Sequence, residues 1–284
     1  MSAAPKRVAL FRQADTLNTE AAIRRAAEVA AAAGVELIAA PRELEGCGEV
    51  EGITVAPDLP DDPDLCLALG GDGTVLRALR RYANRDVPVF GVNYGTVGFL
   101  ASVERDQLDS GLERAFAGEF EVIGLPGLEL RGADGDQIAV NDVSFTRKPH
   151  QRVAQLSYSV SGQEVGRVRC DGLVAATPAG STGYNLANNG PILAWGVEGF
   201  VVSFIAPHTL TARALVVAPD DELHVTNVDE RNPVEVGVDG IPAGLVGPGA
   251  EVRIGFRHDV ARLAQLEGQS FYSRIREKFG KLAH

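Results

Sequence analysis

Leu65-Cys66-Leu67-Ala68-Leu69 runs straight into Gly70-Gly71-Asp72-Gly73-Thr74, and few architectures accommodate that junction. An apolar run with no polar alternation predicts a strand covered on both faces. The glycines after it predict a tight strand-to-helix turn, with close backbone approach and the amides of the next helix aimed outward. Such a strand belongs in a parallel sheet flanked by helices, and the neighbouring sequence agrees. Val8 to Phe11, Val35 to Ala39 and Val87 to Val92 read as strands. Glu20 to Ala33, Thr74 to Tyr82 and Arg105 to Ala117 read as helices, with Asn18 and Thr19 as candidate caps and Gly34 as a stop.

After Phe120 the pattern changes. Gln137 to Thr146, Ala154 to Val160, Glu164 to Ala176, Phe200 to Ile205, Leu215 to Val217, Glu222 to Val228 and Val234 to Val238 read as short strands. Turn signals such as Ala133-Asp134-Gly135 and Val160-Ser161-Gly162 separate them. Residues 269–282 return to a helical pattern, with Phe271, Tyr272, Ile275 and Phe279 on one face. The expectation is an α/β protein: an N-terminal α/β domain with a parallel sheet over 1–121, a β-rich, sandwich-like domain over 122–268, and residues 269–284 packing back onto the first.

Composition narrows the function. The chain has 284 residues, enough for two ordinary domains, and a net charge of −11 with lysine only at Lys6, Lys148, Lys278 and Lys281. An acidic surface repels nucleic acid and anionic membranes, so neither is an expected partner. It also suits work in high salt. No segment approaches the roughly 18 apolar residues of a membrane helix, and no secretory signal opens the chain, so a cytoplasmic protein is expected. Cys47, Cys66 and Cys170 are scattered and odd in number, which predicts reduced, packed thiols rather than a disulfide framework or zinc cluster.

The glycine loop holds the chemistry. It is not a Walker loop, since the only Gly-Lys is Gly280-Lys281, followed by Leu282. Nor is it a dinucleotide fingerprint, because Leu76 stands where the third glycine is needed. A carboxylate inside such a loop repels a passively bound phosphate. Asp72 makes sense as an acceptor of a hydroxyl proton, or as a group facing a magnesium ion that bridges phosphates; as a plain turn residue it would cap the helix. Asn93-Tyr94-Gly95-Thr96-Val97-Gly98-Phe99-Leu100 follows the next strand and falls on the same edge of a parallel sheet. Asn141-Asp142 pairs an amide with a carboxylate, suited to a base edge or ribose hydroxyls, or to a simple turn. The stretch Arg169 to Asn185 joins a charged pair to a small-residue loop in which Ser181 and Thr182 offer hydroxyls and Tyr184 a ring. Ser181 lies in Ala-Gly-Ser-Thr-Gly, not the Gly-x-Ser-x-Gly of a serine hydrolase.

Together these segments resemble the NAD kinase family, with Pro207-His208-x-Leu210-x-x-Arg213 and Asp239-Gly240 following in the same order. A salt-adapted archaeal member fits the acidity. The resemblance implies a homodimeric or homotetrameric enzyme that transfers a phosphoryl group from ATP or polyphosphate to the 2′-hydroxyl of the adenosine ribose of NAD. It implies that Asp72 accepts the proton and, with Gly73, touches NAD. Asn141 and Asp142 hold the adenosine part, Asp171 the nicotinamide end with Arg169 nearby, and Thr182, Gly183 and Tyr184 line the adenine and ribose pocket. Arg77, Arg152, Ala179, Asn185, Leu186 and Ala187 complete the implied dinucleotide contacts. Asp142 stands where the family more often has glutamate, Ala179 where threonine is common, and Gly183 where alanine is usual. A divalent metal, magnesium, rides on the donor phosphates, and no protein metal ligands are implied. His208 is expected to be structural. The rival readings are another Gly-Gly-Asp-Gly kinase acting on a sugar phosphate or lipid headgroup, and a non-catalytic NAD sensor.

Overall fold

The computed structural model describes residues 3–12, 19–95, 98–132, 135–268 and 271–280. The candidate cap Asn18, the loop residues Thr96 and Val97, the turn residues Ala133 and Asp134, and Lys281 with Leu282 lie outside them. The chain divides into two compact units, Met1–Gly124 with Ala261–His284, and Leu125–Val260.

The first unit opens with β1 (Arg7–Arg12), α1 (Glu20–Ala33), β2 (Glu36–Ala39), β3 (Ile53–Val55) and β4 (Leu65–Gly70). Helix α2 (Asp72–Arg81), β5 (Pro88–Asn93), β6 (Val103–Glu104) and α3 (Leu108–Phe116) follow. The strands pair in parallel in the order β3-β2-β1-β4-β5, with β6 also against β5. Alanines make α1 a strong helix former, and its buried stripe is Ala22, Ile23, Ala26, Ala27, Val29 and Ala30. Gly34 ends it at φ +68°, a left-handed turn that glycine adopts without strain. Every residue of β4 is buried, as its unbroken apolar run requires. Two helix starts differ from the sequence reading. Helix α2 starts at Asp72 rather than Thr74, and the helix placed over 105–117 begins as a 3₁₀ turn at Arg105–Gln107, where Glu104 and Gln107 form a capping box.

The second unit is built from antiparallel strands. Strand β7 (Phe120–Arg131) leads into it; β8 (Gln137–Ala139), β9 (Asp142–Arg147), β10 (Ala154–Val160), β11 (Gln163–Cys170) and β12 (Gly172–Ala176) follow. After the single turn α4 (Tyr184–Ala187) come β13 (Phe200–Ile205), β14 (Leu215–Val217), β15 (Leu223–Asn227), β16 (Val234–Val238), β17 (Ile241–Val246) and β18 (Glu251–Leu266). One sheet runs β14-β13-β12-β9-β16-β17. A second layer runs β11-β10-β15 and takes the start of β18, at Glu251 to Ile254. Their inner faces share one core, in which Phe145, Leu173, Phe200 and Val236 meet Leu156, Tyr158, Val225 and Ile254. The expected sandwich-like architecture is what forms.

Two strands read as continuous are broken. Gln137 to Thr146 divides at Val140-Asn141, and Glu164 to Ala176 divides at Asp171, after which β12 joins a different sheet from β11. Both breaks fall on implied site residues. Strand β18 and strand β17 were not anticipated, and the last residues of β18 return to the first unit, where Arg262 and Leu263 pair in parallel with Pro88 and Val89. Helix α5 (Phe271–Phe279) ends the described chain. Of its expected aromatic face, Phe271, Ile275 and Phe279 are half-buried and Phe279 stacks on Phe99, whereas Tyr272 is 70% exposed and Arg274, which the sequence did not mark, is buried.

Candidate active site

In the first unit, Gly70 and Asn93 are paired neighbours at the carboxyl ends of β4 and β5. Open parallel sheets bind ligands at this edge. Gly70 is forced by packing, because a Cβ there would lie 2.2 Å from Thr74 Oγ1. Gly71 is the residue before α2, and its Cβ would sit 3.6 Å from the Cα of Gly95, so two glycine loops nearly touch. Gly73 differs: a Cβ built on it meets no atom within 4 Å.

Asp72 does not cap α2. Its Oδ2 accepts the backbone N–H of Phe99 at 2.8 Å, and its Oδ1 that of Leu100 at 3.0 Å. Burial pushes its pKa above the usual carboxylate range; the two amides and the positive charge of Arg274 pull the other way, and burial wins. The second glycine loop is braced by Asn93, whose Oδ1 accepts the N–H of Gly95 at 2.9 Å and whose Nδ2 donates to Glu104 Oε2 at 2.8 Å. A Cβ at Gly98 would strike that Asn93 amide at 2.8 Å, which explains the Asn-x-Gly-x-x-Gly spacing. Arg77 lies on α2 with its guanidinium 5.4 Å from the ring centre of Phe11, and among the described residues it has no ion-pair partner.

In the second unit the break between β8 and β9 is a built feature. Asp239 accepts the N–H groups of Val140, Asn141 and Asp142. The loop after β12 docks on the same break: Thr177 Oγ1 donates to the Val140 carbonyl at 2.7 Å, and Thr177 N–H to the Asn141 carbonyl at 2.8 Å. A Cβ at Gly180 would lie 2.1 Å from that Asn141 oxygen, so only glycine fits. Asp142 is 7% exposed, and burial together with the charge of Asp239 raises its pKa to about 7.

Ser181 and Asn185 face inward. Ser181 Oγ accepts from Leu193 N–H at 2.9 Å, and Asn185 Nδ2 donates to the carbonyls of Ser181 and Pro191, each at 2.9 Å. These two side chains shape the loop instead of lining its surface, which the sequence did not reveal. Thr182 and Leu186 are half-buried, Ala179 is buried, and Gly183, Tyr184 and Ala187 are exposed. The Tyr184 hydroxyl has its pKa raised by burial first and then by the charges of Asp142 and Asp171.

Asp171 sits at the second break, gripped by Arg147 at 2.6 Å (Nε to Oδ1) and 3.3 Å (Nη2 to Oδ2). That pairing holds its carboxyl below the usual range. Arg152 and Arg169 line one polar cavity of about 580 Å³ with His150, Gln151 and Arg231. His208 donates its backbone N–H to the Arg169 carbonyl at 2.7 Å. Sequence reasoning missed Arg147 and Arg274, and named Asp239 only as part of a motif; their partners are remote in sequence, so no local signal marks them.

A carboxylate set among glycines at the carboxyl edge of a parallel sheet, joined in one chain to a β-sandwich, is an arrangement that suits a phosphotransferase acting on an alcohol. Residues 53–120 match the ATP-NAD kinase N-terminal domain, and residues 140–264 the ATP-NAD kinase C-terminal domain. The NAD kinase of Carboxydothermus hydrogenoformans is 36% identical over 82% of this chain and 84% of its own. That of Rhodopirellula baltica is 30% identical over 97% of this chain and 87% of its own. Among solved structures, the Archaeoglobus fulgidus NAD kinase in complex with ATP aligns over 97% of this chain and 98% of its own, at TM-score 0.75 and 25% identity. Yeast NADH kinase complexed with NADH shares the fold at TM-score 0.84 and 21% identity, over 99% of this chain and 89% of its own. The chain belongs to the NAD kinase family, and it is an enzyme.

Proposed function

We propose that this NAD kinase uses Asp72 as the base that activates the 2′-hydroxyl of the adenosine ribose of NAD toward the terminal phosphoryl group of ATP. The hydroxyl oxygen forms the new P–O bond while the bond from that phosphorus to the donor's bridging oxygen breaks. Its electron pair leaves on ADP, and the hydroxyl proton passes to Asp72. The observation that carries this reading is the Asp72 carboxylate, fixed by the Phe99 and Leu100 amides with its pKa raised by burial. A base poised this way is aimed before substrate arrives and is more basic than an exposed carboxylate. The open space above Gly73 allows a sugar to approach the backbone closely.

Residues 122–268 supply the dinucleotide-binding domain in this reading. Asn141, Asp142, Tyr184 and the Ala179 to Ala187 loop take the adenosine, Asp171 takes the nicotinamide end, and Arg77, Arg152 and Arg169 face the phosphates. Asp72 Oδ2 accepts the Phe99 amide and Oδ1 the Leu100 amide, and a carboxylate's roughly four acceptor lone pairs leave capacity for the hydroxyl or for a metal-bound water. A divalent ion carried on the donor phosphates supplies charge neutralisation of the transferring group. Polyphosphate is the alternative donor. In this reading the enzyme is a cytoplasmic homodimer or homotetramer; among the described residues no helix is long and apolar enough to cross a membrane.

The test is Asp72→Asn, assayed for NADP with magnesium and either ATP or polyphosphate. Turnover should fall by about 10²–10⁴-fold or more while NAD still binds. Near-normal NADP formation by that variant removes the base assignment.

A further inference from the structure

Helix α5 brings a buried cation up behind the Asp72 loop. Arg274 is only 7% exposed. Its Nη1 donates to the carbonyls of Phe99, at 3.1 Å, and of Ala101, and its Nη2 donates to Gln265 Oε1. Gln265 completes the grip, since its Nε2 donates to the Leu100 carbonyl at 3.3 Å. The oxygens of Phe99, Leu100 and Ala101 are therefore held from one side, while the N–H groups of Phe99 and Leu100 hold Asp72. A peptide whose oxygen is bound by a cation is polarised, and its chain of hydrogen bonds strengthens cooperatively.

Two contacts lock the helix that carries Arg274. Lys278 Nζ donates to Glu104 Oε1 at 3.0 Å, and the Phe279 ring stacks on that of Phe99 with centres 5.5 Å apart. An apolar residue at 274 would pack this helix at lower cost, because burying a guanidinium carries a desolvation penalty. Burial lowers the guanidinium's pKa, and Asp72, Glu104 and Glu277 pull it back up. The charge is retained where it opposes the burial effect on Asp72.

We propose that Arg274 is a positioning residue for phosphoryl transfer, which through the Phe99–Ala101 segment aims the Asp72 carboxylate and holds it as the anion that receives the proton. This rests on the reading of Asp72 as the base. The charged groups gathered around the pair are Glu104 from β6 and Glu277 and Lys278 from α5.

The experiment compares full-length Arg274→Gln, Arg274→Lys and, on the exposed side of α5, Arg276→Gln. The Asp72 carboxyl titration is followed by ¹³C NMR, its signal assigned by its loss in Asp72→Asn. Arg274→Gln should raise the Asp72 midpoint and lower kcat by about ten- to a hundredfold, as loss of an outer partner generally does, with little change in KM for NAD. The acid limb of the kcat profile should move to higher pH with it, and Arg274→Lys should recover part of both effects. Arg276→Gln should behave as the parent enzyme. An unmoved Asp72 titration in folded Arg274→Gln overturns the proposal, as do equal losses in the 274 and 276 variants. If Arg274→Gln does not fold, Gln265→Leu replaces it: freeing the Leu100 carbonyl and the Arg274 Nη2 should lower kcat and move the Asp72 titration, and a folded Gln265→Leu with both unchanged overturns the proposal. The titration is read without turnover, so a failure of the base assignment, which Asp72→Asn reports, stays separate.

Discussion

Asp239 Oδ1 accepts the backbone N–H of Asn141 at 2.7 Å across 98 positions of sequence. The same carboxylate takes the N–H groups of Val140 and Asp142 at 2.9 and 3.0 Å, and its own backbone is left-handed at φ +50°. It supplies the acceptors that a neighbouring strand would otherwise give where β8 stops and β9 begins. Asp239→Ala strands these amides and should destabilise the protein by about 3 kcal/mol in urea unfolding. A loss below about 0.5 kcal/mol, the range of neutral surface changes, would show that water replaces the carboxylate without penalty.

The neighbouring Asp142 makes stability depend on pH. Its folded-state pKa is raised from 3.8 to about 7, so the folded protein keeps a proton that the unfolded chain has released. The stabilisation is complete below about pH 4 and is lost as pH rises through about 7, amounting to a few kcal/mol at most. Asp142→Asn should flatten the fall in Tm between those limits relative to the parent protein. Parallel Tm curves for the two would contradict the buried, protonated carboxyl.

Gly180 and Gly73 separate shape from ligand approach. A Cβ at Gly180 collides with the Asn141 carbonyl, whereas one at Gly73 meets no protein atom. Gly180→Ala should cost about 1–3 kcal/mol of stability, from overpacking, and raise KM for NAD. Gly73→Ala should change stability by no more than the helix-propensity effect of about 1 kcal/mol while weakening substrate use. Unchanged kinetics in Gly73→Ala would mean that no sugar passes close to that backbone.

The cysteines should be silent. Cys47, Cys66 and Cys170 are all buried and free; burial pushes the Cys170 thiol up to about 12 and Cys66 higher still. Ellman's reagent should find almost no reactive Cys66 or Cys170 in the native protein and all three thiols after unfolding. Prompt labelling of either under native conditions would reveal local opening of β4 or β11.

What was legible in the sequence follows the range of the forces involved. Glu20–Ala33, Phe200–Ile205 and Val234–Val238 match their predicted limits because local propensity, periodicity and a stop residue agree there. The glycine loop and Asn141-Asp142 were readable as chemistry, since their residue types suit few other purposes. The breaks at Asn141 and Asp171 were not, because apolar alternation runs on through both while Asp239 and Arg147, far away in sequence, make the interruption stable. Strand β18 escaped notice because its first half alternates buried and exposed residues, its middle is exposed, and its last half is mostly buried on both faces. No single period describes it. Arg274 was hidden for the opposite reason: with Arg276, Glu277 and Lys278 close behind, it reads as one more charge on the solvent side of a helix.

The first unit is assembled from both ends of the sequence, whereas Leu125–Val260 is uninterrupted. During synthesis the sandwich can therefore close as soon as it clears the ribosome. The parallel sheet is complete only when Arg262 and Leu263 pair beside Pro88 and Val89 of β5 and Arg274 seats the Phe99 segment. A chain truncated near residue 260 would carry every strand of its sandwich while lacking the buried cation behind Asp72.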